Sequence, residues 1–320
     1  MNWRPNSGVE IAKARQRMMQ RLRDYFLAQD VTEVCTPALT TTAVTDPAVS
    51  SLRVADHDNH GFLHTSPEFA MKRLLAAGYP DIYQICRVFR GGESGREHLA
   101  EFTMVEWYRH SFELTNIIDD TIRVIDNLLA SRTLDPPKLL SYSEAFDNVV
   151  GIDPLVVGVK ELANILKADN NLQNSIGADR DAWLDLLMTT CVSPCFGTDQ
   201  LTIVFHYPAS QGSLARLCPV DNRLADRFEV FFGAVELANG FVELTDAKEQ
   251  RKRFQQEQKK RMYNGRTAPS IDEALMAGLT EGLPGCAGVA LGLDRALMID
   301  EGIDDVHQVI TFTPGLNHDA

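Results

Sequence analysis

The chain has 320 residues, 44% of them hydrophobic, with a formal net charge of −13. That length closes one large core, and the acidic balance disfavours a broad nucleic acid surface and a tRNA ligand. No apolar run reaches the length of a membrane span, and MNWRPNSGVE lacks an apolar signal core, so a soluble, cytoplasmic protein away from the membrane is expected. The six cysteines, at 35, 86, 191, 195, 218 and 286, form no CxxC pair and read as reduced, mostly buried thiols.

In chain order, residues 8–29 carry Ile11, Met18, Leu22 and Phe26 at helical spacing, with Lys13, Arg15, Arg17, Arg21 and Arg23 as a solvated basic face. Val31 to Leu39, interrupted at Pro37, suits an edge strand, and a hairpin-like region follows at 50–64. His57-Asp58-Asn59-His60 lies in a polar connection without further metal ligands and reads as a solvated loop. Ser66 as N-cap, Pro67 at the first helical position and Gly78 beyond the last turn predict a helix over 66–77. Strands are expected at 82–90 and 102–108, joined by a long polar loop at 91–101.

The middle third, about 114–200, reads as mostly helical scaffold, with Ile117, Ile118, Ile122, Ile125 and Leu129 on one stripe and a second run at Trp183 to Met188. Strands at Leu201 to His206, Phe228 to Phe232 and Gly288 to Leu293 close the core, and a charged helix occupies about 246–262. Strands at both ends of the chain around a helical middle predict a single α+β domain with one mainly antiparallel sheet and no internal repeat.

Three constellations carry chemistry. In Phe102 to Tyr108 the period of two places Glu106 on a face with Phe102, Met104 and Tyr108, where a carboxylate needs a cation. Arg90, at the end of the facing strand, is the candidate protein partner, and a cationic ligand is the alternative. Glu229, Glu236 and Glu243 recur at intervals of seven in an otherwise apolar segment, a pattern suited to a hard cation or an ammonium ligand. Gly288 to Arg295 is a small-residue strand ending in Asp294-Arg295, where Arg295 offers a planar charge to phosphate and an ion pair with Asp294 is the structural alternative. Walker A, GxGxxG, GxSxG and HExxH patterns are absent from the sequence.

Taken in order, these segments resemble the signature motifs of class II aminoacyl-tRNA synthetases, in the lysyl branch. Motif 1 falls at about 8–39, motif 2 at about 82–108 and motif 3 at about 288–298, with the helical insertion at about 114–200. The lysyl signature is Thr65-Ser66-Pro67-Glu68, Glu101 to Tyr108, and Glu236-Leu237-Ala238-Asn239-Gly240-Phe241-Val242-Glu243. The match begins near residue 8, so no anticodon-reading barrel is expected; such a free core, with Trp107 and His206-Tyr-Pro-Ala-Ser210, is similar to the elongation factor P β-lysine ligases.

The resemblance implies ATP-dependent, AMP-forming activation of (R)-β-lysine and its ligation to a lysine of elongation factor P, with Mg2+ as cofactor and a homodimer built on motif 1. Arg90 and Arg295 are the implied catalytic residues. Ser66, Pro67, Glu68, Arg90, Glu106, Tyr108, Asn239, Glu243 and Ala290 would bind the lysine-like substrate. Arg90, Gly91, Gly92, His98, Leu99, Phe102, Glu236, Leu237, Gly292 and Arg295 would bind ATP, and Glu229 and Glu236 the metal. The chain departs from the family at Gly92, where a glutamate is usual and adjacent Glu93 could substitute, and at Leu99, which leaves adenine recognition to its main chain. Ala238 and Ala290 stand where lysyl-tRNA synthetases tend to have glycine. An α-lysine-adenylating enzyme with another acceptor and a catalytically weak binding paralogue are the alternatives.

Overall fold

The computed structural model describes residues 3–56 and 59–313; His57 and Asp58 of the polar loop lie outside the described residues. Contacts divide the chain into two units, Met1–Arg132 with Val242–Ala320, and Thr133–Phe241. The first unit opens with α1 (Val9–Ala28), β1 (Thr32–Glu33), β2 (Leu39–Thr40), β3 (Arg53–Asp56), β4 (Asn59–Leu63), α2 (Glu68–Ala76), β5 (Ile82–Phe89), β6 (Glu101–His110) and α3 (Leu114–Leu128). The second holds β7 (Asp135–Ser141), α4 (Tyr142–Val150), α5 (Val159–Ile165), α6 (Asn170–Ile176), α7 (Arg180–Leu187), β8 (Gln200–Pro208), β9 (Leu224–Phe232) and β10 (Val235–Val242). The chain then returns to the first unit with α8 (Ala247–Tyr263), α9 (Glu273–Gly282), β11 (Cys286–Gly292) and α10 (Leu293–Glu301).

In the first unit the strands run β1-β5-β6-β11. The β5/β6 and β6/β11 pairs are antiparallel, whereas the two-residue edge strand β1 is parallel to β5. Strand β6 is covered on both faces: Met104, Val105, Glu106, Trp107 and Tyr108 are all buried. Met18, Leu22 and Phe26 of α1 are fully buried, and Phe26 stacks on Tyr83 of β5 with ring centroids 4.4 Å apart.

The basic face of α1 is not simply solvated. Arg15 pairs with buried Asp294 at the start of α10 and also reaches Thr103 Oγ1 and the Val309 carbonyl, while Arg21 donates to the carbonyls of Asn127 and Leu128. These arginines tie α1 to chain ends that present bare acceptors. Helix α2 starts two residues later than expected, because Ser66 Oγ accepts from the Glu68 N–H at 3.0 Å while its own proton goes to Glu106. Pro67 is the N-cap.

In the second unit the order is β7-β8-β9-β10, antiparallel except for the parallel β7/β8 pair. Trp183, Leu184 and Leu187 of α7, Phe146 of α4 and Leu162 of α5 form its apolar core with Val204 and Tyr207 of β8. Strand β7 interrupts the expected helical middle. Its Pro136-Pro137 fall where the β7/β8 register shifts, between Asp135 and Lys138, a place in an end strand where missing N–H groups break no ladder. Strand β10 also escapes a hydrophobicity reading, since Glu236, Asn239 and Gly240 interrupt its apolar residues. Each unit is thus mainly antiparallel, as expected, with its one parallel pair at an edge strand, and the α+β class holds.

Asp294 is held by Arg15 and by the Thr103 N–H at 2.7 Å. Arg15→Ala should leave a buried carboxylate without its cation and destabilise the protein by about 3 kcal/mol, read as a lower midpoint in urea unfolding at unchanged slope. An unshifted midpoint would show that the pair is not structural.

Candidate active site

Three carboxylates converge in the first unit: Glu68 in the first turn of α2, Glu106 on β6, and Glu243 just after β10. Lys72, one helical turn beyond Glu68, places its ammonium 2.6 Å from Glu68 Oε1 and 2.5 Å from Glu243 Oε2, and only 2% of its side chain is exposed. Glu106 accepts from Ser66 Oγ at 2.6 Å and from the Tyr108 hydroxyl at 2.7 Å. Glu243 Oε1 has no hydrogen-bond donor among the described residues.

The strand register makes this arrangement. Gly288 pairs with Tyr108 and Ala290 with Glu106 across β6 and β11. A Cβ on Gly288 would stand 2.5 Å from the Tyr108 ring and 2.8 Å from Glu243 Oε1, so this position must lack a side chain. Ala290, two pairs further on, is partly exposed and leaves its methyl beside Glu106.

Arg90 is not the partner of Glu106. It lies over the Phe102 ring with its guanidinium 5.1 Å from the centroid, and its nearest carboxylate is Glu93 at 3.7 Å. The counter-charge near Glu106 is Lys72, which the sequence reading missed; its spacing four residues after Glu68 on a helix is the signal that could have found it. Three carboxylates around one ammonium, with Glu106 and Glu243 buried and Glu68 partly exposed, cannot all ionise readily without a further cation. Burial first, then the charge of Glu68, pushes Glu106 up to about 7, and burial likewise raises Glu243 above the usual carboxylate range despite Lys72. Burial works against the Lys72 charge, but Glu243 and Glu68 together hold its pKa above the ordinary value.

At the other end of β5 and β6, Arg295 donates to the Glu97 carbonyl at 3.1 Å and lies 2.8 Å from His98 Nε2. Because Asp294 is taken by Arg15, the Asp294-Arg295 ion pair does not form, and Arg295 faces the β5–β6 loop. Gly292 is the N-cap of α10, Leu99 is buried, and His98 is exposed. The N–H of Gly91 is held by the Ser50 carbonyl at 2.7 Å.

The remaining expected residues belong to the second unit. Glu229 accepts from the Tyr207 hydroxyl at 2.6 Å and from Arg227 at 2.5 Å, and Asn239, its register partner on β10, accepts from Arg227 Nε at 3.3 Å. Burial, followed by repulsion from Glu236, raises Glu229 to about 7. Glu229 and Glu236 are neighbouring carboxylates close enough to repel, hard oxygen donors of the kind that fits magnesium. Leu237 is buried beside Glu236 on β10.

With this geometry in view, comparison with known proteins is decisive. A family model described as tRNA synthetases class II (D, K and N) matches residues 1–314. The chain belongs to the class II tRNA synthetases. Proteins named elongation factor P--(R)-beta-lysine ligase are similar over 97% of both chains: that of Klebsiella pneumoniae (strain 342) at 41% identity, that of Pasteurella multocida (strain Pm70) at 40% and that of Avibacterium paragallinarum at 38%. The expected family is therefore the observed one, and the chain is a ligase of this class.

Two expectations follow from the acidic cluster. A group whose carboxyl is raised on folding contributes its stability below the ordinary pKa and loses it as pH climbs through the raised value; for Glu106 that window runs from 4.5 to about 7. A bound ammonium needs the ionised form, so affinity for a diammonium ligand should rise between pH 6 and 8, with protons released on binding, by up to about tenfold per pH unit for each proton. Calorimetry in buffers of different protonation enthalpy measures this, and a pH-independent affinity would contradict it. Separately, Gly288→Ala should displace Tyr108 and Glu243 and lower catalytic efficiency by about 10²-fold while the far-ultraviolet dichroism stays unchanged.

Proposed function

We propose that the chain activates (R)-β-lysine with ATP and ligates it to the side-chain amine of a lysine in elongation factor P. The observation that carries this reading is the trio of Glu68, partly exposed, and buried Glu106 and Glu243 around Lys72, with Glu243 Oε1 awaiting a donor: such surroundings suit a ligand bearing two ammonium groups. The acceptor is taken from the names of the relatives.

Glu68, behind Ser66 and Pro67 at the start of α2, takes the amine nearer the substrate carboxylate. Glu243 and Glu106 hold the distal charge, and Tyr108 orients Glu106 through its hydroxyl. Arg90, only loosely engaged by Glu93, binds the substrate carboxylate and the α-phosphate. Phe102 stacks on adenine, with His98, the Leu99 main chain, Gly91 and Gly92 beside it, and Arg295 with Gly292 clamps the nucleotide. In the second unit Glu229 and Glu236 would hold magnesium, which neutralises triphosphate charge when bound, and Leu237 would contribute backbone contacts to the nucleotide.

A carboxylate oxygen of the substrate attacks the α-phosphorus and pyrophosphate leaves. Fixed guanidinium groups stabilise the charge that builds on the phosphoryl oxygens. The acceptor amine then attacks the acyl carbon, AMP leaves, and the amine gives up a proton. Ala290, whose methyl stands beside Glu106, is placed to discriminate α- from β-amino substrates, since small steric differences in a tight pocket are worth about 1–3 kcal/mol.

We further propose that the two units act together as one catalytic domain, in the cytoplasm and as a homodimer. No helix among the described residues is long and apolar enough to cross a membrane. Val9, Leu27 and Leu39, on or beside α1 and β2, are large apolar side chains left exposed, which supports pairing through that region.

ATP–pyrophosphate exchange with (R)-β-lysine and α-lysine, side by side and with magnesium, tests the reading. Exchange should be stronger with β-lysine, and transfer to purified elongation factor P should follow by a mass increase of the acceptor. Preference for α-lysine would redirect the assignment to another acceptor, and no exchange with either would leave a binding protein.

A further inference from the structure

One side-chain cluster of the second unit takes no part in the chemistry above. His206 on β8, Cys218 in the segment between β8 and β9, and Asp226 on β9 bring their ligand atoms within 4.8 Å of one another. Cys218 Sγ lies 3.9 Å and Asp226 Oδ1 3.7 Å from the same ring atom, His206 Nε2. A proton relay through histidine would engage its two ring nitrogens on opposite sides. Here thiol and carboxylate share one nitrogen, so the three atoms converge on a point instead of forming a chain.

The backbone holds them in this relation. His206 has φ of +58°, a left-handed conformation uncommon outside glycine, where the β8/β9 register shifts between Phe205 and Tyr207. A bulge of this kind re-aims a side chain out of the sheet alternation. Leu217 bridges Ala225, Cys218 N–H donates to the Leu224 carbonyl and Asp226 N–H to the Arg216 carbonyl, which places Cys218 and Asp226 on one face of a short ladder. Arg216 grips Asp226 Oδ2 through Nη2 at 2.6 Å and Nε at 3.0 Å, leaving Oδ1 turned to His206. Ligating carboxylates are commonly fixed by such outer hydrogen bonds.

We propose that His206, Cys218 and Asp226 form a binding site for a divalent transition metal ion of the zinc type. One nitrogen, one sulfur and one oxygen donor are a borderline-soft set suited to zinc, and unlike the all-oxygen surroundings that magnesium takes. Zinc bond lengths of about 2.0–2.3 Å put tetrahedral ligand atoms roughly 3.3–3.6 Å apart, so the cluster needs to contract by only a few tenths of an ångström at His206. On binding, the Cys218 thiol gives its proton to solvent as the metal–sulfur bond forms, and the imidazole binds through its neutral Nε2. Cys218 and Asp226 are buried while the His206 side chain is 27% exposed, which provides an entry path and room for a water as fourth ligand. The ion would pin the 216–218 segment to the start of β9, next to Arg227.

The test uses the full chain, freed of metal by a chelator and titrated with Co2+ alone. One equivalent should give a thiolate-to-cobalt charge-transfer band with visible bands of tetrahedral type, and Zn2+ should abolish both by displacement. Cys218→Ser should lose the charge-transfer band and bind Zn2+ at least about 100-fold more weakly, whereas the Cys191→Ser, Cys195→Ser double variant should keep both. Zn2+ should also raise Tm in the parent chain and not in Cys218→Ser. If Cys218→Ser does not fold, His206→Ala, altered at the partly exposed ligand, carries the same comparison through the visible bands and the Zn2+ affinity. No thiolate–cobalt band in the parent chain, or a band that survives Cys218→Ser, would overturn the proposal.

Discussion

The first unit is organised around one ammonium among three carboxylates, two of them buried. Lys72 touches Glu68 and Glu243 and leaves Glu106 to neutral donors, Ser66 and Tyr108. Removing it would strand the acids in a low-dielectric interior; adding two further lysines would satisfy them and leave nothing for a ligand. A single internal cation keeps the cluster foldable yet short of positive charge. A ligand with one ammonium group would satisfy only part of that shortage, and a neutral side chain would gain nothing from entering.

Glu106, the member of the trio that lies on a strand, is positioned by sheet register. Glu106 and Tyr108 alternate with Val105 and Trp107 on a strand covered from both sides, so a slip of one residue would exchange the acid for an indole. The register is pinned at one end by Asp294, which ties Thr103 of β6 to Arg15 of α1 and α10, and at the other by Gly288, the one place where Tyr108 and Glu243 can close on β11. The charge carried by α1 thus serves the site from a distance, by holding the strand that bears it.

Much of this was legible in the sequence. The period of two around Glu106 and the surplus of glutamates pointed to an ammonium or a hard cation before any geometry, because a carboxylate on an apolar face has few other uses. Helix α1, the β5–β6 hairpin and helix α8 follow from periodicity and capping. What stayed hidden depends on tertiary pairing. Whether Arg90 or Lys72 answers Glu106, and whether Arg295 or Arg15 answers Asp294, is decided by which helix end meets which strand. Strand β7 was hidden by its prolines and β10 by its functional residues, both cases in which local propensity opposes the strand that the sheet imposes. Cys218 was hidden because its approach to His206 depends on the register shift between β8 and β9, which no periodicity announces.

The altered motif 2 loop can now be weighed in physical terms. Gly92 has φ of +81° with open space around it, so a glutamate at that position would be held in a strained backbone as the loop stands. Glu93, one residue on, faces Arg90 at 3.7 Å, too far for a strong hydrogen bond yet close enough to hold the guanidinium over Phe102. The carboxylate that the family places at 92 is therefore replaced in charge, if not in position, by its neighbour. Such a loose pair gives way readily to a phosphate oxygen, which competes for the same guanidinium with a planar bidentate geometry. The two glycines thus place the acid of the loop at Glu93, where it engages Arg90 only loosely and leaves the guanidinium available to an anion.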